Sequence, residues 1–87
     1  PNAPNPFNPE TVIRFSLPVQ CRVSVTVYDI RGRSAAELLR SELRPPGSHT
    51  VRWNGLDGDG KPCPSGMYIT VLRAGKRTFQ RKMLLVR

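Results

Sequence analysis

The sixteen residues from Trp53 to Tyr68 constrain this chain more than any others. They read Trp53-Asn54-Gly55-Leu56-Asp57-Gly58-Asp59-Gly60-Lys61-Pro62-Cys63-Pro64-Ser65-Gly66-Met67-Tyr68, with the only tryptophan at one end and a tyrosine at the other. Gly55, Gly58, Gly60 and Gly66 admit positive φ, Asp57 and Asp59 can accept from their own backbone, and Pro62 and Pro64 remove donors and fix φ. No helix or long strand can run through such a stretch. The apolar alternation that ends at Trp53 and resumes at Met67 is that of two strands joined by a structured loop.

The remaining segments read as strands in the same way. Thr11, Ile13, Phe15 and Leu17 fall on one side of a first strand that Pro18 ends. From Arg22 to Ile30, Val23, Val25 and Val27 face in while Arg22, Ser24, Thr26 and Tyr28 face out, and Asp29 and Gly32 suit a tight turn. Ser34 to Leu43 is rich in Ala, Glu and Leu and would be a short helix by propensity alone. It is expected to be a strand, because its neighbours are strands on short turns and an isolated helix of about ten residues is marginal. After Pro45-Pro46-Gly47, His49, Val51 and Trp53 point inward. Met67 to Ala74 and Arg77 to Val86 form a hairpin about Ala74-Gly75-Lys76, with Phe79, Arg81 and Met83 on one side of its second strand and Gln80, Lys82 and Leu84 on the other. Leu84, Leu85 and Val86 break that alternation, so the end is covered on both faces or presented to something.

This pattern specifies an all-β fold, an immunoglobulin-like antiparallel β-sandwich of six to seven strands. Tyr68 strengthens it. In such sandwiches a tyrosine near the start of a late strand sends its hydroxyl back to the backbone a few residues upstream, and Ser65-Gly66-Met67-Tyr68-Ile69-Thr70-Val71 has that form. Thr70 stands where antibody domains place their second cysteine. Tyr68, Thr70 and Leu72 are then inward.

Composition limits the chemistry. Eighty-seven residues make one domain, burying about 60 to 65 % of the surface its unfolded chain exposes. Fourteen Lys and Arg against six Asp and Glu give a net charge of +8, a balance found in binders of nucleic acid or anionic surfaces. The arginines are nevertheless spread over every expected strand, with no basic helix and no aromatic ladder on which bases could stack. A solvated basic face is the expectation, without nucleic acid as partner. His49 has no nucleophile placed with it, which leaves no catalytic residue to name and no enzyme activity expected of the domain itself. Asp57 and Asp59 are the only close carboxylates and so the only metal candidates, but the loop lacks the alternating ligands and terminal glutamate of a calcium loop. An Asx turn explains them without metal. No cofactor is expected.

No apolar run is long enough for a transmembrane segment, and no signal peptide is present. A first residue of proline rather than methionine points to a piece of something longer. Residues 1–9, with four prolines, read as a linker whose Phe7 docks on the sandwich edge; the domain proper is 10–87. Cys21 and Cys63 lack metal-site spacing. Counted as an up-and-down meander they lie at opposite ends of the sheet, and under immunoglobulin connectivity at the same end, so a disulfide and two free thiols both stay open.

The motif Trp53-x-Gly55-x-Asp57-x-x-Gly60-x-Pro62-x-x-Ser65-Gly66-x-Tyr68, with Asn5-Pro6-Phe7-Asn8-Pro9 before it and Lys82-Met83-Leu84-Leu85-Val86-Arg87 after it, resembles the type A C-terminal sorting domain of the type IX secretion system. It is equally similar to the Ig-like domain of the flagellar hook-capping protein. The first resemblance implies a module that exports a larger bacterial protein, such as a secreted enzyme, to the cell surface or medium by way of the periplasm. Its partners would be the secretion machinery, a sortase-like protease and a cargo domain N-terminal in the same chain, with attachment to surface lipopolysaccharide. The sorting residues would be Pro64, Gly66 and Tyr68 together with Lys82, Met83, Leu84, Leu85 and Val86, and the structural ones Trp53, Gly55, Asp57, Gly60 and Tyr68. The second implies a structural module packed on a neighbour or on copies of itself. A third reading, a carbohydrate-binding module, would need an exposed aromatic platform, for which Trp53 and Tyr68, committed to the core, leave only Tyr28 and Phe7.

Overall fold

A computed structural model describes residues 11–87. Six strands follow in order: β1 Thr11–Leu17, β2 Cys21–Asp29, β3 Ser34–Arg44, β4 Gly47–Trp53, β5 Gly66–Ala74 and β6 Arg77–Leu85. They form two antiparallel sheets, a pair β1-β4 and a four-stranded sheet in the order β3-β2-β5-β6. Among the described residues there is no helix. The Asn5–Pro9 motif and Phe7 lie outside the described residues.

Period-two patterning sets which side chains meet between the sheets. Val23, Val25 and Val27 are fully buried, Ile13 and Leu17 lie opposite them from β1, Val51 and Trp53 come from β4, and Tyr68, Thr70 and Leu72 from β5. The buried Thr70 hydroxyl donates to Met83 Sδ at 3.0 Å, which satisfies the one buried polar side chain of this core. Phe15 stacks on His49 at 5.4 Å, directly across the β1–β4 ladder, and His49 Nε2 meets the Pro45 carbonyl at 2.7 Å. His49 is thus a packed strand residue.

The Ala- and Leu-rich segment is a strand, β3, but an irregular one. Its register against β2 slips at three places, and Ser41 takes a φ of 47°. Two β2 side chains hold that kink: Ser24 Oγ accepts from the Ser41 amide, and Arg22 donates to the Ser41 carbonyl. Pairing to β2 overrides a local helical preference because it satisfies backbone groups that a lone short helix would leave to water.

Phe79 and Arg81 share the core-facing side of β6 with Met83 and Leu85, yet they are exposed while the latter two are buried. The two-stranded sheet is too narrow to cover the four-stranded one. An open groove of about 310 Å³ remains between β1 and the outer half of β6, with Phe15, Leu72 and Phe79 among its walls.

Connectivity also separates the cysteines. The β1–β2 connection crosses between sheets and places Cys21 beside Gly75 in the β5–β6 turn, while Cys63 lies by Gly55 and Arg87 at the far end of β6. Eight strand steps, about 25 Å, lie between those two ends. The same-end alternative fails because β2 runs antiparallel to β5, so the start of β2 lies beside Ala74 while Cys63 precedes the other end of β5; both thiols are free.

Candidate functional site

The Trp53–Tyr68 loop is built from a turn that the chain uses twice. Asp57 Oδ1 accepts from the amides of Asp59 and Lys61 at 2.9 Å each, the Gly60 amide donates to the Asp57 carbonyl, and the Asp57 amide to that of Lys61. Between β2 and β3, Asp29 Oδ1 accepts from Arg31 and Arg33, Gly32 donates to the Asp29 carbonyl, and the Asp29 amide to that of Arg33. In both, the glycine three residues after the aspartate has a φ near +80°, 79° for Gly60 and 83° for Gly32, a region that favours a residue without Cβ. Gly55 and Gly66 are also at positive φ, whereas Gly58 is not.

The twin geometry accounts for Asp57. Its carboxylate is occupied by backbone donors, and among the described residues no three His, Cys, Asp or Glu side chains are grouped to hold a metal. At the other turn, hydrogen bonds from the Arg33 and Arg31 amides and from the Arg33 side chain hold the Asp29 carboxyl below its usual range.

Three side chains from three strand ends pin the loop to the sandwich. Trp53 Nε1 donates to the Leu56 carbonyl at 3.0 Å. The Tyr68 hydroxyl donates to the Pro64 carbonyl, four residues upstream, at 2.6 Å, the expected tyrosine corner. The Arg87 guanidinium reaches across from the end of β6 and donates to the carbonyls of Cys63 and Gly55, while its amide donates to Ser65 Oγ at 3.0 Å. The indole and phenol rings themselves meet edge to face at 5.1 Å. Burial pushes the Cys63 thiol and the Tyr68 phenol above their ordinary values.

The two parts of the expected sorting surface are neighbours. Gly66 pairs with Leu85, Met67 with Leu84, Tyr68 with Met83 and Ile69 with Lys82. Their side chains divide into two sets. Tyr68, Met83 and Leu85 are buried, whereas Pro64, Lys82, Leu84 and Val86 are exposed. Only the second set is available to another molecule; the first holds it in place. Trp53, Gly55, Asp57 and Gly60 all lie in the pinned loop.

Two contributors escaped the sequence reading. Ile30, 72 % exposed at the tip of the first turn, shares a shallow groove of about 180 Å³ with Met67 and the Pro64–Tyr68 segment. Its signal was an apolar residue at a turn tip. Arg87 stood in the terminal motif, but nothing in the sequence marked its guanidinium as the donor to the Cys63 and Gly55 carbonyls.

Neither a family model nor a curated protein matches the chain. Among solved structures, the crystal structure of FlgD from Pseudomonas aeruginosa superimposes with a TM-score of 0.69 and 25 % identity, over 88 % of this chain and 61 % of that one. The present chain thus spans about three fifths of its neighbour's length. In its Ig-like β-sandwich the chain is similar to FlgD, the flagellar hook-capping protein.

Proposed function

We propose that this chain is a non-catalytic delivery module, directing export of a larger bacterial protein and its anchoring at the cell surface through type IX secretion. The observation that carries the reading is the meeting of the pinned loop and the end of β6. Pro64 and Gly66 on one side and Lys82, Leu84 and Val86 on the other form one continuous, largely exposed surface. A rigid sandwich that presents its sorting residues on a folded face suits recognition after folding, and rim cations suit contact with anionic partners. On this reading the cargo is N-terminal in the same chain, the partners are the secretion machinery and a sortase-like protease, and the destination is the cell surface or medium by way of the periplasm.

The test is a reporter fused N-terminally to residues 1–87 in a bacterium with type IX secretion, beside a fusion lacking Lys82 to Arg87. Export of the first and periplasmic retention of the second is the expected result. Retention of both, with the domain folded, would sink the reading. The likeness to FlgD favours a second one, a structural Ig-like module that packs against a neighbouring domain or assembles with copies of itself.

A further inference from the structure

We infer that the sheet end carrying Ile30, Met67 and Leu84 is a docking face for a protein partner that inserts one apolar side chain flanked by carboxylates. This rests on the delivery reading and specifies the chemistry of its recognition step. Ile30, Met67 and Leu84 are 72 %, 44 % and 64 % exposed. Met67 and Leu84 face each other across the β5–β6 ladder, and Ile30 and Met67 line the same groove. Along this outer face the half-buried Ile69, Val71 and Tyr28 follow Met67 before the chain turns polar at Ser24, Thr26, Arg73, Thr78 and Gln80, so the strongly exposed apolar side chains of this face gather at its Ile30 end. A contiguous apolar patch rimmed by polar groups marks an interaction site.

Size and charge define the occupant. The groove, about 180 Å³, falls below the roughly 300 Å³ at which small-molecule sites begin, and suits a single side chain. Its rim is positive. Asp29, the carboxylate there, is taken up by the amides of Arg31 and Arg33 and by the Arg33 side chain. Arg31 and Lys82, by contrast, form no salt bridge among the described residues. Arg31 in the groove's lining and Lys82 two residues before Leu84 on the same face of β6, on a chain of net charge +8, call for carboxylates on either side of the inserted group.

The test is an amide-resolved NMR titration of the whole 87-residue chain with the probe peptide Glu-Glu-Phe-Glu-Glu, its Lys-for-Glu counterpart, and vesicles of phosphatidylglycerol. The acidic peptide is expected to give saturable shifts confined to residues 29–33, 64–68 and 82–86. Its apparent Kd should rise at least tenfold in the double variant Arg31→Glu/Lys82→Glu and in Met67→Ser/Leu84→Ser, and stay unchanged in the far-end control Val19→Ser/Leu43→Ser. All these positions are exposed, so the variants should keep the parent's denaturation midpoint. Shifts scattered over the basic surface, equal binding of the basic peptide, response to vesicles alone, or no saturable shift would each overturn the inference. The reporter fusion judges the delivery reading separately, because a fusion that stays inside does not alter which residues the acidic peptide shifts.

Discussion

Replacing Arg87 by Met isolates the guanidinium, since Met keeps an apolar stem of similar length and leaves the backbone amide free to reach Ser65. Two loop carbonyls, Cys63 and Gly55, lose a charged donor. Hydrogen bonds to charged groups contribute about 1.5 to 3 kcal/mol each. Two circumstances reduce the sum. Gly55 still accepts from the Cys63 amide at 2.8 Å, and Arg87 is exposed, so water replaces part of what is lost. A loss of about 2 kcal/mol follows, equivalent to roughly 8 to 16 °C in Tm for a domain of this size. Urea unfolding followed by Trp53 fluorescence reads it directly, because that indole is the only one and itself donates into the loop. Hydrogen exchange at the Cys63 and Asp57 amides should accelerate in parallel. An unfolding change below about 0.5 kcal/mol, the level of an ordinary surface substitution, together with unaltered exchange at Cys63, would refute the idea that Arg87 secures the loop.

Tyr68→Phe removes the donor to Pro64 and should destabilise by about 1 kcal/mol, whereas a superimposable urea curve would dispose of the corner as a source of stability. Trp53→Ala, at a side chain only 1 % exposed, should cost about 3 to 5 kcal/mol, and a smaller loss by calorimetry would mean that the core collapses around the gap. Stability should also fall in alkali. Burial raises the Cys63 and Tyr68 values above 9.0 and 10.0, so the folded chain holds more protons than the unfolded one, and this contribution, complete below about pH 9, declines above it. Cys63→Ala should flatten the first part of the decline, and an unfolding free energy level from pH 8 to 10.5 would contradict the assignment.

The β architecture was legible because burial and alternation coincide. Val23, Val25 and Val27 announce β2, and the run from Ser65 to Val71 around Tyr68 announces the corner, both being matters of local pattern. Features that depend on how the sheets pair were not. The large separation of Cys21 from Cys63 follows from β2 running antiparallel to β5, and the exposure of Phe79 from the narrowness of the β1-β4 pair; neither is written in any short window. The irregularity of β3 at Ser41 depends on Ser24 and Arg22 of β2, which no reading of β3 alone would find. For the site, the loop and the end of β6 were marked by motif. Their division into buried supports and available contacts required the register of β5 against β6, and Arg87 required knowing which carbonyls lay within its reach.

The repeated aspartate-to-glycine turn separates scaffold from display. Its circuit is closed by the aspartate, the glycine and main-chain groups, so the two intervening positions bear no structural duty. Nature has filled them with Ile30 and Arg31 in one copy and Gly58 and Asp59 in the other, giving a sticky cationic tip and a bare anionic one on the same backbone. Exchanging those two dipeptides, which sit at the same end of the domain, would swap its cationic and anionic tips while leaving its architecture alone, which makes the turn a natural cassette for redirecting what the sandwich touches.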